Sequence, residues 1–249
     1  MIKLGLIGFP LGHSFSKNYY LSKFEDEEIN DVNYDLYSLE NINQFPSLFL
    51  NDNRFRGFNV TIPHKQTVMG FIDDLSIEAK EIGAVNCITV HRSEDKVSLK
   101  GYNTDAFGFE TSLTPLLTPQ HNRALVLGNG GAAKAILYTF EKLGIPYTIV
   151  SRSKTNGHLT YEQLNEDLIS SHPIIVNCTP LGTFPNIEEC PQIPYEYISN
   201  RHLLYDLIYN PVETLFLQKG RSQNAITKNG HEMLILQAEK NWQIWKDNF

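Results

Sequence analysis

Ser14 and Ser16 stand two apart in "HSFSKNYY" (13–20), directly after an apolar run that breaks at Pro-Leu-Gly. A buried strand, a turn and a helix start are the expected local structure. Either serine could cap that helix by accepting a backbone N–H. Two hydroxyls beside the free amides of a helix N-terminus could equally hold a small anion. Further along, "GFNVTIPHK" places Asn59 and Thr61 on one face of a strand, with Lys65 after a Pro-set turn. "GAVNCITV" opens a strand at Asn86, and "GYNTDAFGF" puts Asn103, Thr104 and Asp105 where a strand hands over to a helix. Singly, Asp105 reads as an N-cap, Asn86 as a turn residue and Lys65 as a surface lysine. Together they supply hydroxyl, amide, ammonium and carboxylate groups at strand ends. That set suits a small polyhydroxy acid.

A second chemistry is written in "RALVLGNGGAAKAILYTF". Gly128-Asn129-Gly130-Gly131-Ala132-Ala133 matches G-x-G-x-x-A after a strand and at the opening of a helix, the context a dinucleotide pyrophosphate requires. About twenty residues on, the next strand, "YTIV", runs into Ser151-Arg152-Ser153-Lys154. An acidic residue there would bind a ribose 2′-hydroxyl, whereas Arg152 suits a 2′-phosphate, so NADP is favoured over NAD.

These groups need a scaffold. Strand-like and helix-like stretches alternate along the 249 residues, which points to α/β layering. The patterns predict strands at 2–7, 34–38, 57–62, 84–91 and 97–102, and helices near 16–26, 41–51, 76–83 and 105–117. After the turn-rich "LLTPQHN" a second βαβ series begins at "RALVLG". "TFPNIEECPQIPYEY" (183–197) reads as a loop or flap, and "GHEMLILQAEKNWQIW" as a closing amphipathic helix.

Composition narrows the classes. The net charge is −7 and no Lys/Arg run exists, which argues against a nucleic-acid partner. Three scattered cysteines without CxxC argue against a disulfide framework, and eight dispersed histidines against a metal site. No long apolar stretch suggests a membrane span, and the N-terminal run reads as a strand rather than a signal peptide. A cytoplasmic protein is expected.

At this point a family resemblance is visible. "SFS" (14–16), "NVTIPHK" (59–65), "GAVN" (83–86), "NTDAFG" (103–108), "GNGGAAKA" (128–135), "NCTPLG" (177–182), "YDLIYNP" (205–211) and "NGHEMLILQA" (229–238) resemble, in order, the motifs of the shikimate dehydrogenase family. The resemblance implies NADP-dependent interconversion of 3-dehydroshikimate and shikimate, a step toward chorismate and aromatic amino acids. It implies that Ser14 and Ser16 bind the substrate carboxylate, with Asn59 and Thr61 nearby. Lys65, Asn86 and Asp105 then hold the ring hydroxyls, and Tyr209 and Gln237 complete the substrate site. Lys65 and Asp105 are the catalytic pair. Lys65 acts either as acid/base or as an electrostatic stabiliser. On the cofactor side the resemblance assigns Gly128, Asn129, Gly130, Gly131 and Ala132 to the pyrophosphate and Ser151 and Arg152 to the adenosine phosphate. Thr179, Leu181, Leu207 and the Gly230 carbonyl fall to the nicotinamide half.

Five positions depart from the family pattern. Ser-Arg-Ser replaces Asn-Arg-Thr, and Asn156 replaces a second basic residue, so the phosphate clamp is expected to be weaker. Gly182-Thr183 lacks the usual methionine, and Ile77 stands where some members carry an acid. The implied architecture is two α/β domains with a cleft between them. Residues 1–104 plus 230–249 form an α/β substrate domain, and residues 105–229 a Rossmann-type NADP-binding domain. The partner is a small molecule, and the chain is a monomer or homodimer. A quinate/shikimate dehydrogenase is the near alternative, and a catalytically silent nucleotide-binding regulator is the one from another class. Retention of Lys65 and Asp105 argues against the latter.

Overall fold

A computed structural model describes every residue except His13, Asp95 and 153–156. Two compact units are present, Met1–Thr104 with Gln237–Phe249, and Asp105–Leu236. The division falls within the last helix at 236/237, so residues 230–236, expected with the first unit, pack with the second.

In the first unit the elements are β1 (Ile2–Gly8), α1 (Phe15–Asp26), β2 (Val32–Ser38), α2 (Phe45–Asn51), β3 (Phe55–Val60), β4 (Asp74–Leu75), α3 (Ile77–Ile82), β5 (Cys87–Arg92) and β6 (Val97–Tyr102). Among the described residues the strands form one sheet in the order β2-β1-β3-β5-β6-β4. β1 is parallel to both β2 and β3, while β5 runs antiparallel to β3 and β6. The carboxyl ends of β1, β3 and β6 and the amino end of β5 therefore share one edge. Leu4, Ile7, Phe58, Val60 and Ile88 are buried, as expected of strands covered on both faces. One face packs on Phe45, Phe49 and Val68, and the other, through Leu4 and Tyr34, on Tyr20, Phe24, Trp242 and Trp245. The Trp245 indole N–H donates to the Ile88 carbonyl at 3.0 Å, satisfying the one polar atom of a fully buried ring.

The second unit comprises α4 (Asp105–Leu113), β7 (Ala124–Leu127), α5 (Gly131–Lys142), β8 (Tyr147–Val150), α6 (Glu166–Ser171), β9 (Ile174–Asn177), β10 (Leu203–Asp206), α7 (Leu215–Ser222), β11 (Ile226–Lys228) and the start of α8 (His231–Lys246). Its described strands are all parallel, in the order β11-β10-β9-β7-β8. β7, β9 and β10 are buried along their whole length, and helices cover both faces. α5 turns Ala133, Ile136 and Phe140 inward at helical spacing.

The deviations from the sequence expectation have local causes. β3 ends at Val60 rather than 62, although the Thr61 N–H still donates to the Ile7 carbonyl at 2.9 Å and the Ile62 carbonyl accepts from the Phe9 N–H at 3.0 Å; Pro63, without an N–H, follows. α4 stops at Leu113 and tightens into a 3-10 turn over Thr114–Leu116, where Pro115 interrupts the helix. The 41–51 helix begins as a 3-10 turn, with Asn41 accepting from the Asn43 N–H at 3.0 Å, and becomes α2 only at Phe45. β4 and β11, of two and three residues, carry too little pattern to be read from sequence.

Candidate functional site

The polar edge of the first sheet collects seven of the candidate residues. Ser14 sits at the N-cap of α1 with extended backbone, yet its hydroxyl makes no capping bond. The capping explanation for this serine is therefore not met. Ser16, in the first turn, hydrogen-bonds the Tyr34 hydroxyl, which donates to Asn59 Oδ1 at 2.8 Å. Burial pushes the Tyr34 phenol up, so it stays protonated and able to donate. Asn59 Nδ2 donates to the Asn86 carbonyl at 3.2 Å. Thr61 follows β3, its N–H donating to the Ile7 carbonyl at 2.9 Å.

Lys65 lies in the turn after Pro63 and is half-buried. Its carbonyl accepts from the Val85 N–H at 2.7 Å, while His64 Nε2 meets the Leu39 carbonyl at 2.6 Å. The backbone bearing the ammonium is thus fixed from two sides. Asn86 precedes β5, and its Oδ1 accepts from the Thr104 N–H at 2.8 Å. Asn103 Nδ2 donates to the Ala84 carbonyl at 3.0 Å. Gln237, on α8, is buried and accepts from Asn241 Nδ2 at 3.0 Å.

Asp105 belongs to the second unit, where it opens α4 and is buried. Tyr209 follows β10, and burial raises its phenol. Ile77 heads α3 and is exposed, and Thr183 is exposed as well.

The second unit has its own site at the point where strand order reverses between β7 and β9, the usual ligand position in a parallel sheet. A cavity of about 270 Å³ lies there. Gly128, Asn129 and Gly130 form one wall, Cys178, Thr179 and Leu181 another, and Ser151, Arg152 and Tyr161 a third. Gly128 adopts φ +102°, a left-handed conformation that strains any residue with a Cβ. Gly130 differs, since a Cβ there would stand in open space. Among the described residues nothing crowds a side chain at 130, and bare backbone there leaves room for a ligand to lie close. Gly131 and Ala132 begin α5, whose N-terminal amides face an anion favourably. The residues therefore fit a dinucleotide pyrophosphate. Ser151 is anchored by its N–H to the Leu159 carbonyl at 2.9 Å, and Arg152 is exposed at the rim. Lys154 and Asn156 lie outside the described residues.

A buried carboxylate that sequence reasoning passed over ties these walls to the next strand. Asp206 Oδ1 accepts from Asn177 Nδ2 at 3.1 Å and from the Ile208 N–H at 3.0 Å, and Oδ2 accepts from Thr214 at 2.6 Å. Asn177 Oδ1 in turn receives the Thr179 hydroxyl at 2.6 Å. Desolvation raises the Asp206 carboxyl to about 7, against these bonds, which pull it down. Leu207 donates its N–H to the Asn177 carbonyl at 3.1 Å, and Gly230 to the Ile208 carbonyl at 3.0 Å. A side chain at 230 would collide with the Leu207 carbonyl. The signal for Asp206 was available, an acid closing an otherwise apolar strand.

Cys87, Cys178 and Cys190 are free thiols, and burial pushes Cys178 up. Among the described residues no His/Cys/Asp/Glu group could hold a metal, and no helix is long and apolar enough to cross a membrane.

Comparison with known proteins gives these halves a family. A model described as the shikimate dehydrogenase substrate binding domain matches residues 6–88. Shikimate dehydrogenase (NADP(+)) of Clostridium beijerinckii is 39% identical, with 98% of this chain and 91% of the relative aligned. The crystal structure of shikimate dehydrogenase 1 from Peptoclostridium difficile matches at TM-score 0.84 and 36% identity, covering 100% of this chain and 93% of that one. That of shikimate 5-dehydrogenase from Thermus thermophilus, in complex with NADP(H) and shikimate, matches at TM-score 0.85 and 26% identity, covering 99% and 94%. The chain belongs to the shikimate dehydrogenase family.

Proposed function

We propose that this chain catalyses the reversible NADPH-dependent reduction of 3-dehydroshikimate to shikimate. The observation that carries the reading is 39% identity, across 98% of the chain, to a protein named shikimate dehydrogenase (NADP(+)). In this reading the first unit is the substrate domain and the second the NADP domain. Ser14 and Ser16 hold the carboxylate, with Asn59 and Thr61 beside them. Lys65, Asn86 and Asp105 hold the ring hydroxyls, and Tyr209 and Gln237 complete the set. The α5 N-terminus, from Gly128 to Ala132, takes the pyrophosphate. Ser151 and Arg152 take the adenosine phosphate, and Thr179, Leu181, Leu207 and Gly230 the nicotinamide half.

Bound NADPH supplies the hydride for the carbonyl carbon. The chain supplies orientation and a proton. Lys65 Nζ donates that proton to the carbonyl oxygen as it becomes an alcohol, and takes it back in the reverse direction. Asp105 orients the ammonium and accepts from an adjacent hydroxyl. Asn59 and Asn86 arrive with their amides already oriented by Tyr34 and Thr104, so little ordering remains to be done on binding.

The test is spectrophotometric, crossing shikimate and quinate with NADP and NAD. Fastest nicotinamide reduction with shikimate and NADP is expected. Absence of shikimate-dependent NADP reduction would reject the reading, and faster turnover of quinate would move the chain to the quinate/shikimate alternative.

A further inference from the structure

Asn241 lies one turn beyond Gln237 on α8 and is fully buried. A buried primary amide must satisfy two N–H donors and an acceptor, or the structure bears the cost of an unpaired polar group. Here each has a partner within the first unit. Oδ1 accepts from the Thr104 hydroxyl at 2.6 Å, and Nδ2 donates to Gln237 Oε1 at 3.0 Å. The amide also hydrogen-bonds the Tyr20 hydroxyl.

The oxygen and nitrogen of a side-chain amide are told apart by their partners. Two backbone groups at the ends of this chain of bonds decide the matter. The Thr104 N–H can only donate, so the Asn86 atom it meets at 2.8 Å is Oδ1. Asn86 Nδ2 then donates to Thr104 Oγ1 at 3.0 Å. The Thr104 hydroxyl, holding that bond on a lone pair, has two acceptors in reach, Asn86 Oδ1 at 3.2 Å and Asn241 Oδ1 at 2.6 Å, and its proton goes to the nearer, Asn241. At the other end, the Tyr20 hydroxyl donates to the Ala238 carbonyl at 2.9 Å, and a carbonyl can only accept. The Tyr20 oxygen is therefore the acceptor for Asn241 Nδ2. Both routes give Asn241 the same orientation, and with it the amide that it touches. Gln237 turns its oxygen toward Asn241, so its NH₂ lies on the opposite edge.

We infer that Asn241 is a positioning residue, which fixes the Gln237 amide so that Gln237 meets the substrate as a hydrogen-bond donor to one of its oxygens. The inference rests on the reading of Gln237 as a substrate-binding residue. Without Asn241 the Gln237 carbonyl loses this donor, and with it the bond that sets which edge of the amide carries the oxygen. A turned-over amide presents its oxygen where the NH₂ had stood, and the donor is lost. The rotamer freedom that had been removed in advance is paid on binding instead.

The test measures steady-state kinetics and melting temperature of the full chain with Gln237→Ala, Asn241→Leu, Asn241→Thr and the Gln237→Ala/Asn241→Leu pair. Leucine keeps the volume and removes every polar atom. Threonine leaves a hydroxyl that can return its bond to the carbonyl four residues back, and is too short to repeat the contact with Gln237. Each Asn241 variant is expected to raise KM for shikimate by about 10-fold, the worth of one well-placed hydrogen bond. KM for NADP and kcat should stay near those of the unsubstituted chain. Asn241→Leu should add nothing once Gln237 is alanine. An unchanged KM for shikimate in either folded Asn241 variant, with or without a lowered melting temperature, overturns the inference. So does an equal rise with and without the Gln237 side chain, because Asn241 would then act by another route. An unchanged KM in Gln237→Ala sinks the role of Gln237 and the inference together. No shikimate-dependent activity in the unsubstituted chain sinks the function itself.

Discussion

Lys65 is the residue on which the proposed chemistry turns. Replacing its ammonium with an apolar side chain of similar length, Lys65→Met, should lower kcat by roughly 10²–10⁴-fold while KM for shikimate moves little. Turnover near that of the unsubstituted chain would remove Lys65 from the proton path. The two serines should separate. Ser14 bonds nothing as a cap, so Ser14→Ala is expected to raise KM for shikimate and leave the melting temperature in place. Ser16 supports the Tyr34–Asn59 pair, so Ser16→Ala should raise KM and lower the melting temperature as well. Identical behaviour of the two would contradict this division. Arg152→Ala should raise KM for NADP by roughly 10- to 100-fold, the loss of one charge-assisted contact. KM for NAD should hardly change. Equal losses for both cofactors would mean that Arg152 does not read the 2′-phosphate.

At the level of elements, the turn between β7 and α5 contains two glycines with different duties. Gly128 is required by its own backbone, at φ +102° with Cys178 and Thr179 close by. Gly130 faces open space. Gly128→Ala should therefore destabilise the fold by roughly 1–3 kcal/mol, the usual cost of a strained backbone site. Gly130→Ala should leave the melting temperature nearly unchanged and weaken NADP binding, since the added methyl occupies the path of the pyrophosphate. Thermal melts with and without NADP check both. A stable Gly130→Ala variant with normal NADP affinity would show that the ligand does not lie on that backbone.

For the whole molecule, Asp206 makes stability depend on pH. Its folded-state value of about 7 lies above the ordinary 3.8, so between those values the folded chain holds a proton that the unfolded chain has released. Stability from this group is complete below about pH 4 and is lost as pH rises through about 7, at on the order of 1 kcal/mol per pH unit. The ion-paired acids work in the opposite sense. Lys17 and the Leu36 N–H hold Asp35 down, and Lys100 holds Asp74 down. A comparison with Asp206→Asn isolates the buried group. The melting temperature of the unsubstituted chain should fall relative to the variant as pH goes from roughly 5 to 7.5. Parallel curves would mean that Asp206 is ionised throughout.

Much about this protein is decided locally, and that part was legible in the sequence. An apolar run ending in G-x-G-x-x-A sets up a strand, a tight turn and a helix because each follows from short-range sterics and periodicity. Eight ordered motifs sufficed for the family. Element ends were legible only approximately: Pro115 marks where α4 must stop, but where β3 stops depends on its pairing with β1, a strand about fifty residues earlier. The orientation of the polar groups was not legible at all. Tyr34 meets Asn59 across 25 residues, and Thr104 meets Asn241 across 137. Nothing near Asn59 in the chain says which end of its amide is held, and Asn241, though one helical turn from Gln237, is itself oriented by Thr104. The tertiary structure decided that, because the direction of a buried hydrogen bond is fixed by donors and acceptors that only folding brings within 3 Å.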